Sequence, residues 1–219
     1  MYHSDPAAPA YARLEEQFEC LARRVHVGLR EGAVECEAAF DLACFLMEWG
    51  QPDPALEELA ALAAAGTDRE QITELARQAL AASAFEPGFD VEPGRLAVLA
   101  EALEAVRSDM QATGLPGPAR LVVPEWSQPP HAFVEFREGG YGSTTGIAPR
   151  SASYPVWALV AVADETQDSV METLWQTWPV CPAHDLGAHA QEHEGKAVWW
   201  CNGDAGHVIA AIGKWDKLT

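Results

Sequence analysis

The sequence predicts an α+β protein, an N-terminal helical bundle followed by a C-terminal α/β region that ends in a small sheet. Three observations predict it. Apolar residues recur at helical spacing from about residue 9 to residue 113, and the stretch Gly114-Leu115-Pro116-Gly117-Pro118 then breaks any helix. Beyond the break lie seven of the eight tryptophans and the alternating apolar segments that read as strands. Two domains follow from this, an acidic helical one over residues 1–114 and an α/β one over residues 115–219.

The first helix shows Leu14, Phe18, Leu21 and Val25 on one face, with Glu15, Glu16, Glu19 and Arg23 turned elsewhere, and it stops near Gly32. The second, about residues 33–49, is apolar around most of its circumference and leaves only a stripe of Glu37, Asp41 and Glu48, so it is expected to be central. Gly50 ends it. Pro52, Asp53 and Pro54 open the third helix with an Asp N-cap and a proline in the first turn. Gly66 closes it, and Thr67 with Glu70 forms the Thr-x-x-Glu pattern of a capping box for a fourth helix running to about Phe85. The fifth, residues 94–113, carries Leu96, Leu99, Leu103, Val106 and Met110 in one stripe. No fixed-period motif marks a repeat family.

After the break, residues 120–123 and 131–137 read as strands, the second alternating Ala132, Val134, Phe136 against Phe133, Glu135, Arg137, with a turn at Glu138-Gly139-Gly140. Ser153 and Pro155 open a long helix to about Trp175. Its expected buried side is Val156, Leu159, Val160, Ala163, Val170, Met171 and Leu174. Asp164, Glu165, Gln167, Asp168 and Glu172 form its polar face.

Composition bounds the function. With 48% apolar residues in 219, the chain can bury enough surface to offset its ordering entropy. Its 33 acids against 14 bases, net −19, repel phosphate backbones and anionic headgroups, which argues against nucleic-acid and membrane-surface partners and for a protein partner with a basic surface. The excess is concentrated in residues 1–114, which hold 8 bases and 21 acids, against 6 and 12 in the remainder. Residues 1–10 lack the basic and apolar regions of an export signal, and no run approaches the roughly 20 apolar residues that span a bilayer. A cytoplasmic location is expected, and five irregularly spaced cysteines then read as free or metal-bound thiols.

The chemistry lies near the C-terminus. Cys181-Pro182-Ala183-His184 sets a thiolate and an imidazole at C-x2-H spacing in a tight turn, and Cys201 and His207 flank the glycine-bearing loop Asn202-Gly203-Asp204-Ala205-Gly206. Between the pairs, residues 187–193 and 197–200 suit a hairpin turning at Glu194-Gly195-Lys196, and residues 208–212 can add a third strand. Two turns clasping Zn²⁺ with two sulfurs and two nitrogens would make a closed tetrahedral site of the structural type. Residues 178–215 resemble a zinc-ribbon module whose first turn is C-P-x-H and whose second is C-x5-H, longer than the two-residue spacing usual in ribbons. His189 or His193 could replace one of the assigned histidines. Trp199, Trp200 and Trp215 are expected to cover the metal site.

Other patterns fall short of a site. No H-x-E precedes Cys181, as a zinc deaminase would require. The run Gly139-Gly140-Tyr141-Gly142-Ser143-Thr144-Thr145-Gly146 lacks the Gly-Lys-Ser/Thr of a phosphate loop. Cys20, Cys36 and Cys44 sit in helical segments and read as apolar packing. His131, Arg137, Tyr141 and Arg150 could line a ligand pocket opposite Glu135. The function expected is a non-catalytic protein–protein interaction or regulatory role, with a structural zinc and an acidic surface for a basic partner, in the manner of an inhibitor or immunity protein. The alternative is a zinc-dependent or small-molecule enzyme with a site between the two domains, near His131, Arg137 and the metal.

Overall fold

The computed structural model describes residues 8–50, 53–115, 117–137 and 139–216. Most of the expected N-terminal segment, Pro52, Pro116 and the turn residue Glu138 lie outside them. The chain is α+β: α1 (Ala8–Glu31), α2 (Cys36–Glu48), α3 (Pro54–Ala65), α4 (Arg69–Ala82), α5 (Gly94–Ala112), β1 (Ala119–Val122), β2 (Phe133–Phe136), a 3-10 turn (Pro149–Ser153), α6 (Pro155–Leu174), β3 (Ala188–His193), β4 (Lys196–Cys201) and β5 (His207–Ala211). No described helix is long and apolar enough to cross a membrane. The chain forms two compact units, Met1–Pro87 and Gly88–Thr219.

In the first unit α2 packs against α1, α3 and α4, as its nearly all-round apolar surface requires. Leu42, Leu59 and Ile72 are fully buried, and Phe18 stacks on Phe45 with ring centroids 6.0 Å apart. Asp53 caps α3 by accepting the N–H of Ala55 at 2.9 Å, and Gly66 ends that helix in the left-handed conformation that only glycine adopts without steric cost. The capping box expected at Thr67 and Glu70 does not form. Asp68 is the N-cap of α4 instead, its carboxylate accepting the N–H of Gln71 at 3.1 Å, because Asp accepts at a cap as well as Thr and stands one residue nearer the helix start. Cys20 is exposed, so the apolar packing expected of it fails, whereas Cys36 packs against the core.

α5 belongs to the second unit. Its stripe of Leu99, Leu103, Val106 and Met110 is buried in one core with Val162, Ala163 and Val170 of α6 and with β1 and β2. The compact units therefore part at residues 87 and 88, and not at the Gly/Pro stretch after residue 114, where the domain boundary was expected. β1 and β2 pair antiparallel with Ala119 opposite Phe136 and Val122 opposite Phe133. β2 is buried on both faces, so its alternation does not separate a wet side from a dry one. Glu135 is accommodated there by an ion pair with Arg120 and by the N–H of Gly139 at 2.9 Å.

α6 departs most from expectation. The sequence assigns Glu165 and Gln167 to a solvated face, yet both are buried, together with Thr166 and Ser169. Each has backbone to satisfy. Ser169 donates to the carbonyl of Val134 at 2.7 Å, Glu165 accepts the N–H of Val134, and Gln167 donates to the carbonyls of Trp178 and Ala188 at 2.8 and 2.6 Å. A polar face has thus become the contact surface for a strand and a loop, whose buried backbone must find partners. Ser153 ends the 3-10 turn and does not cap α6, whose N-cap position is Tyr154.

The last three strands form an antiparallel sheet of order β3-β4-β5. The β3–β4 hairpin turns at Glu194 and Gly195, both at positive φ, and pairs Ala188 with Cys201. β5 runs back so that His207 stands opposite Cys201, with a bulge between Trp199 and Trp200. Trp199 is fully buried in the core of this unit and does not cover the metal-competent end of the sheet, so the lid expected of Trp199 is a correction. Its burial follows from parity, because Ala197, Trp199 and Cys201 share one face of β4.

Candidate metal centre

Gln167 of α6 holds the two ends of the first turn by bonding the carbonyls of Trp178 and Ala188. Between them the chain closes on itself. The N–H of Ala188 donates to Pro179, that of Cys181 to Leu186 at 2.7 Å, and that of Asp185 to Cys181 at 2.9 Å. This compact turn carries Cys181 and His184 on one side. The second turn follows from sheet register, since Cys201 and His207 are a directly opposed pair at the end of β4 and β5. The intervening loop is closed by the Gly206 N–H on the Gly203 carbonyl at 2.9 Å.

The two turns bring Cys181, His184, Cys201 and His207 together, with all four ligand atoms within 4.8 Å of one another. Cys181 Sγ lies 3.5 Å from His207 Nε2 and 3.8 Å from His184 Nδ1, and Cys201 Sγ lies 3.4 Å from His184 Nδ1. Both sulfurs are buried, and the imidazoles are partly so. This is a Cys2His2 cluster that could hold a metal ion. His189 and His193 do not belong to it: His189 is exposed, and the ring of His193 stands 5.0 Å from that of Trp200.

The surroundings prepare the donors. His184 Nε2 is 2.9 Å from Asp204 Oδ2, so a proton on Nε2 leaves the Nδ1 lone pair for an ion. The same carboxylate, then the Cys181 sulfur, raises the His184 pKa above its ordinary value. Burial pushes the Cys181 thiol up, but the N–H groups of Ala183 and His184, with Cys201 and His184 side chains, outweigh it and bring the thiol down to about 6. Cys201 is raised by burial, although the Gly203 N–H at 3.3 Å favours its thiolate. One thiol is thus ready as thiolate and its neighbour is held back, as two adjacent negative charges require in the absence of a cation.

Two glycines make room. A Cβ on Gly203 would fall 2.5 Å from His184 Nδ1, and one on Gly206, at φ +80°, would fall 2.6 Å from the Trp200 ring. Sequence reasoning missed Asp204 and Gly203 as supporting residues. The signal was present, since the Asn-Gly-Asp run inside the C-x5-H loop supplies both a close approach and a carboxylate beside the histidines.

Among the other candidates, His131, Arg137 and Glu135 are engaged in separate local contacts. His131 Nδ1 contacts the Thr145 carbonyl, Arg137 lies over the Phe136 ring 5.2 Å from its centroid, and Glu135 is engaged by Arg120. All of these, with the Cys2His2 cluster, lie in the second compact unit. Among known proteins, no family model, curated protein or solved structure matches the chain.

Proposed function

We propose that Cys181, His184, Cys201 and His207 bind one Zn²⁺ as a structural centre, and that the chain is a non-catalytic interaction protein whose acidic surface engages a basic protein partner. One observation carries the zinc assignment. A tetrahedral zinc with Zn–S near 2.3 Å and Zn–N near 2.0–2.1 Å has S···N edges of about 3.6 Å. Three of the four S···N separations of the cluster, 3.4, 3.5 and 3.8 Å, bracket that value. Four protein donors fill a tetrahedron, which favours a structural ion over a catalytic one that keeps an open position. Two thiolates cancel the charge of the ion, so the two buried sulfurs can hold it without an unpaired charge.

Elemental analysis of the purified protein beside Cys181→Ser and Cys201→Ser variants tests the assignment. About one equivalent of zinc is expected in the parent and a large loss in both variants, whereas equal content in all three overturns it. A structural ion further predicts that chelation disrupts the second unit, read as collapse of the near-ultraviolet tryptophan signal. A catalytic ion would leave that signal intact while a reaction stopped.

The interaction reading is supported by the net charge of −19, which steers cationic surfaces and repels anionic ones. Association with a basic protein is expected to weaken steeply with salt. Binding that ignores ionic strength would contradict it. Free thiols at all five cysteines fit a reducing, cytoplasmic setting.

A further inference from the structure

Glu165 is the buried ionisable group that the metal centre does not use. It is 5% exposed, and its Oε1 is fully buried with no hydrogen-bond partner, while its carboxyl also accepts from the Ser143 hydroxyl and the Val134 N–H. It lines a cavity of about 290 Å³ together with Asp164, Asp168, Ser143, Thr145 and Arg150. That volume is far more than the roughly 30 Å³ share of one water.

The glycine-rich loop over this cavity does not cradle an anion. Three of its amides are already engaged, Gly142 donating to Ser169 at 3.1 Å and Thr145 and Gly146 to Ser143 at 3.1 and 3.0 Å. α6 contributes three carboxylates to the lining, which also holds one guanidinium, that of Arg150. The loop meets the helix so closely that a Cβ on Gly142 would fall 2.0 Å from the Asp168 carbonyl carbon. A rigid, acidic, hydroxyl-lined pocket with an unpartnered buried oxygen is a site for a cation.

We propose that this pocket binds a guanidinium group through Asp164, Glu165 and Asp168. A bare metal ion is the poorer occupant, because among the described residues only the Cys/His cluster has ligand atoms that converge on a point. Separated acceptors suit a planar cation with five N–H donors in a fixed fork, which can reach several oxygens at once and is weakly hydrated. An ammonium is a compact point charge and would satisfy fewer of them. The protonation of the acids agrees. Burial, and then mutual repulsion, raises Asp164 and brings Glu165 up to about 7, and burial raises Asp168. A bound cation would reverse those shifts. The guanidinium could belong to an arginine on a protein partner or to a free guanidino compound.

Isothermal titration of the full-length, metal-loaded protein with Nα-acetylarginine methylamide, agmatine, Nα-acetyllysine methylamide and MgCl₂ tests it. Saturable binding of a guanidino ligand is expected, at least tenfold tighter than the lysine derivative. It should weaken at least tenfold in Asp168→Asn and Glu165→Gln, and also in Asp164→Asn, an exposed position that does not threaten folding. Since the cation binds ionised Glu165, affinity should rise with pH through about 7. The charged groups around Glu165 are Asp164 and Asp168 on α6 and Arg150 on the 3-10 turn, with His189 acting on Asp164. Tighter binding of the capped arginine assigns the pocket to a protein side chain, and tighter binding of agmatine assigns it to a free ligand. No saturable heat from either, preference for lysine or Mg²⁺, or unchanged affinity in Asp164→Asn and Asp168→Asn overturns the proposal. The zinc reading stands or falls separately on metal content.

Discussion

The indole N–H of Trp199 donates a 2.8 Å hydrogen bond to Asp109, a carboxylate with no solvent exposure ninety positions earlier in the chain. The same carboxylate accepts the N–H of Gly213 at 2.6 Å and that of Trp215 at 2.8 Å. One side chain of α5 thereby fixes the middle of β4 and the segment after β5, the elements that set where Cys201 and His207 stand. A buried charge is tolerable here because three donors surround it.

Replacing Asp109 with alanine strips the acceptor from the buried Trp199 indole N–H and from the half-buried N–H groups of Gly213 and Trp215. At about 1–3 kcal/mol for the buried group left unsatisfied, with a smaller cost for the two that water can reach, the loss should be at least about 2 kcal/mol. Chemical denaturation followed by tryptophan fluorescence of the metal-loaded protein checks this. A loss under 1 kcal/mol would show that the tail is held by other contacts.

Asp204 is hydrogen-bonded to His184 beside the cluster, so Asp204→Asn should leave secondary structure unchanged while metal affinity falls about 10–100-fold. Competition against a coloured chelator measures it. An unchanged affinity would mean that the His184–Asp204 contact does not orient the ring.

Gly203→Ala places a methyl group 2.5 Å from His184 Nδ1 and should cost at least tenfold in metal affinity. Gly94→Ala is the matched control. It stands in α5 with nothing within 4 Å of the added carbon, and should leave affinity untouched with stability level or raised by up to about 1 kcal/mol.

How much of this was legible beforehand depends on whether the signal was local. The stripe of α5, the Asp53 cap, Gly66 and the two Cys/His pairs are set by residues within a few positions of one another, and all could be read from spacing. The burial of Glu165 and Gln167 could not. Their faces are decided by β2 and by the loop around Trp178, which arrive from elsewhere in the chain and turn a polar stripe into an interface. For the same reason α5 falls in the second unit despite the Gly/Pro break behind it, because its partners come later in the sequence. Asp109 was invisible as an anchor, since nothing near it in sequence calls for an acceptor.

Glu165 should leave its mark on stability against pH. Burial raises its carboxyl from the ordinary 4.5 to about 7 in the folded chain, so the native state holds its proton more tightly than the unfolded state does. Its contribution is therefore complete below about pH 4.5 and is lost as pH rises to about 7. Relative to Glu165→Gln, which stays neutral throughout, the metal-loaded parent should lose stability across that window and run parallel above pH 8. Denaturant midpoints at intervals of one pH unit test this, and parallel curves from pH 4 to 8 would contradict it.

Metal capture should depend on pH in two regimes, because binding needs two thiolates and two neutral imidazoles. Cys181 titrates at about 6, despite the burial that opposes it, owing to the Ala183 and His184 amides, whereas burial raises Cys201 above the usual thiol range. Between pH 7 and 8, Cys201 must surrender a proton to the incoming ion, so affinity should climb about tenfold per unit. Below pH 6, Cys181 is protonated as well, and His184, raised by its bond to Asp204, is already imidazolium. At least three protons then compete with the ion, and the slope should steepen to at least a hundredfold per unit. Competition titrations from pH 5 to 8 give both slopes, and a single slope of one proton throughout would remove Cys181 or His184 from the ligand set.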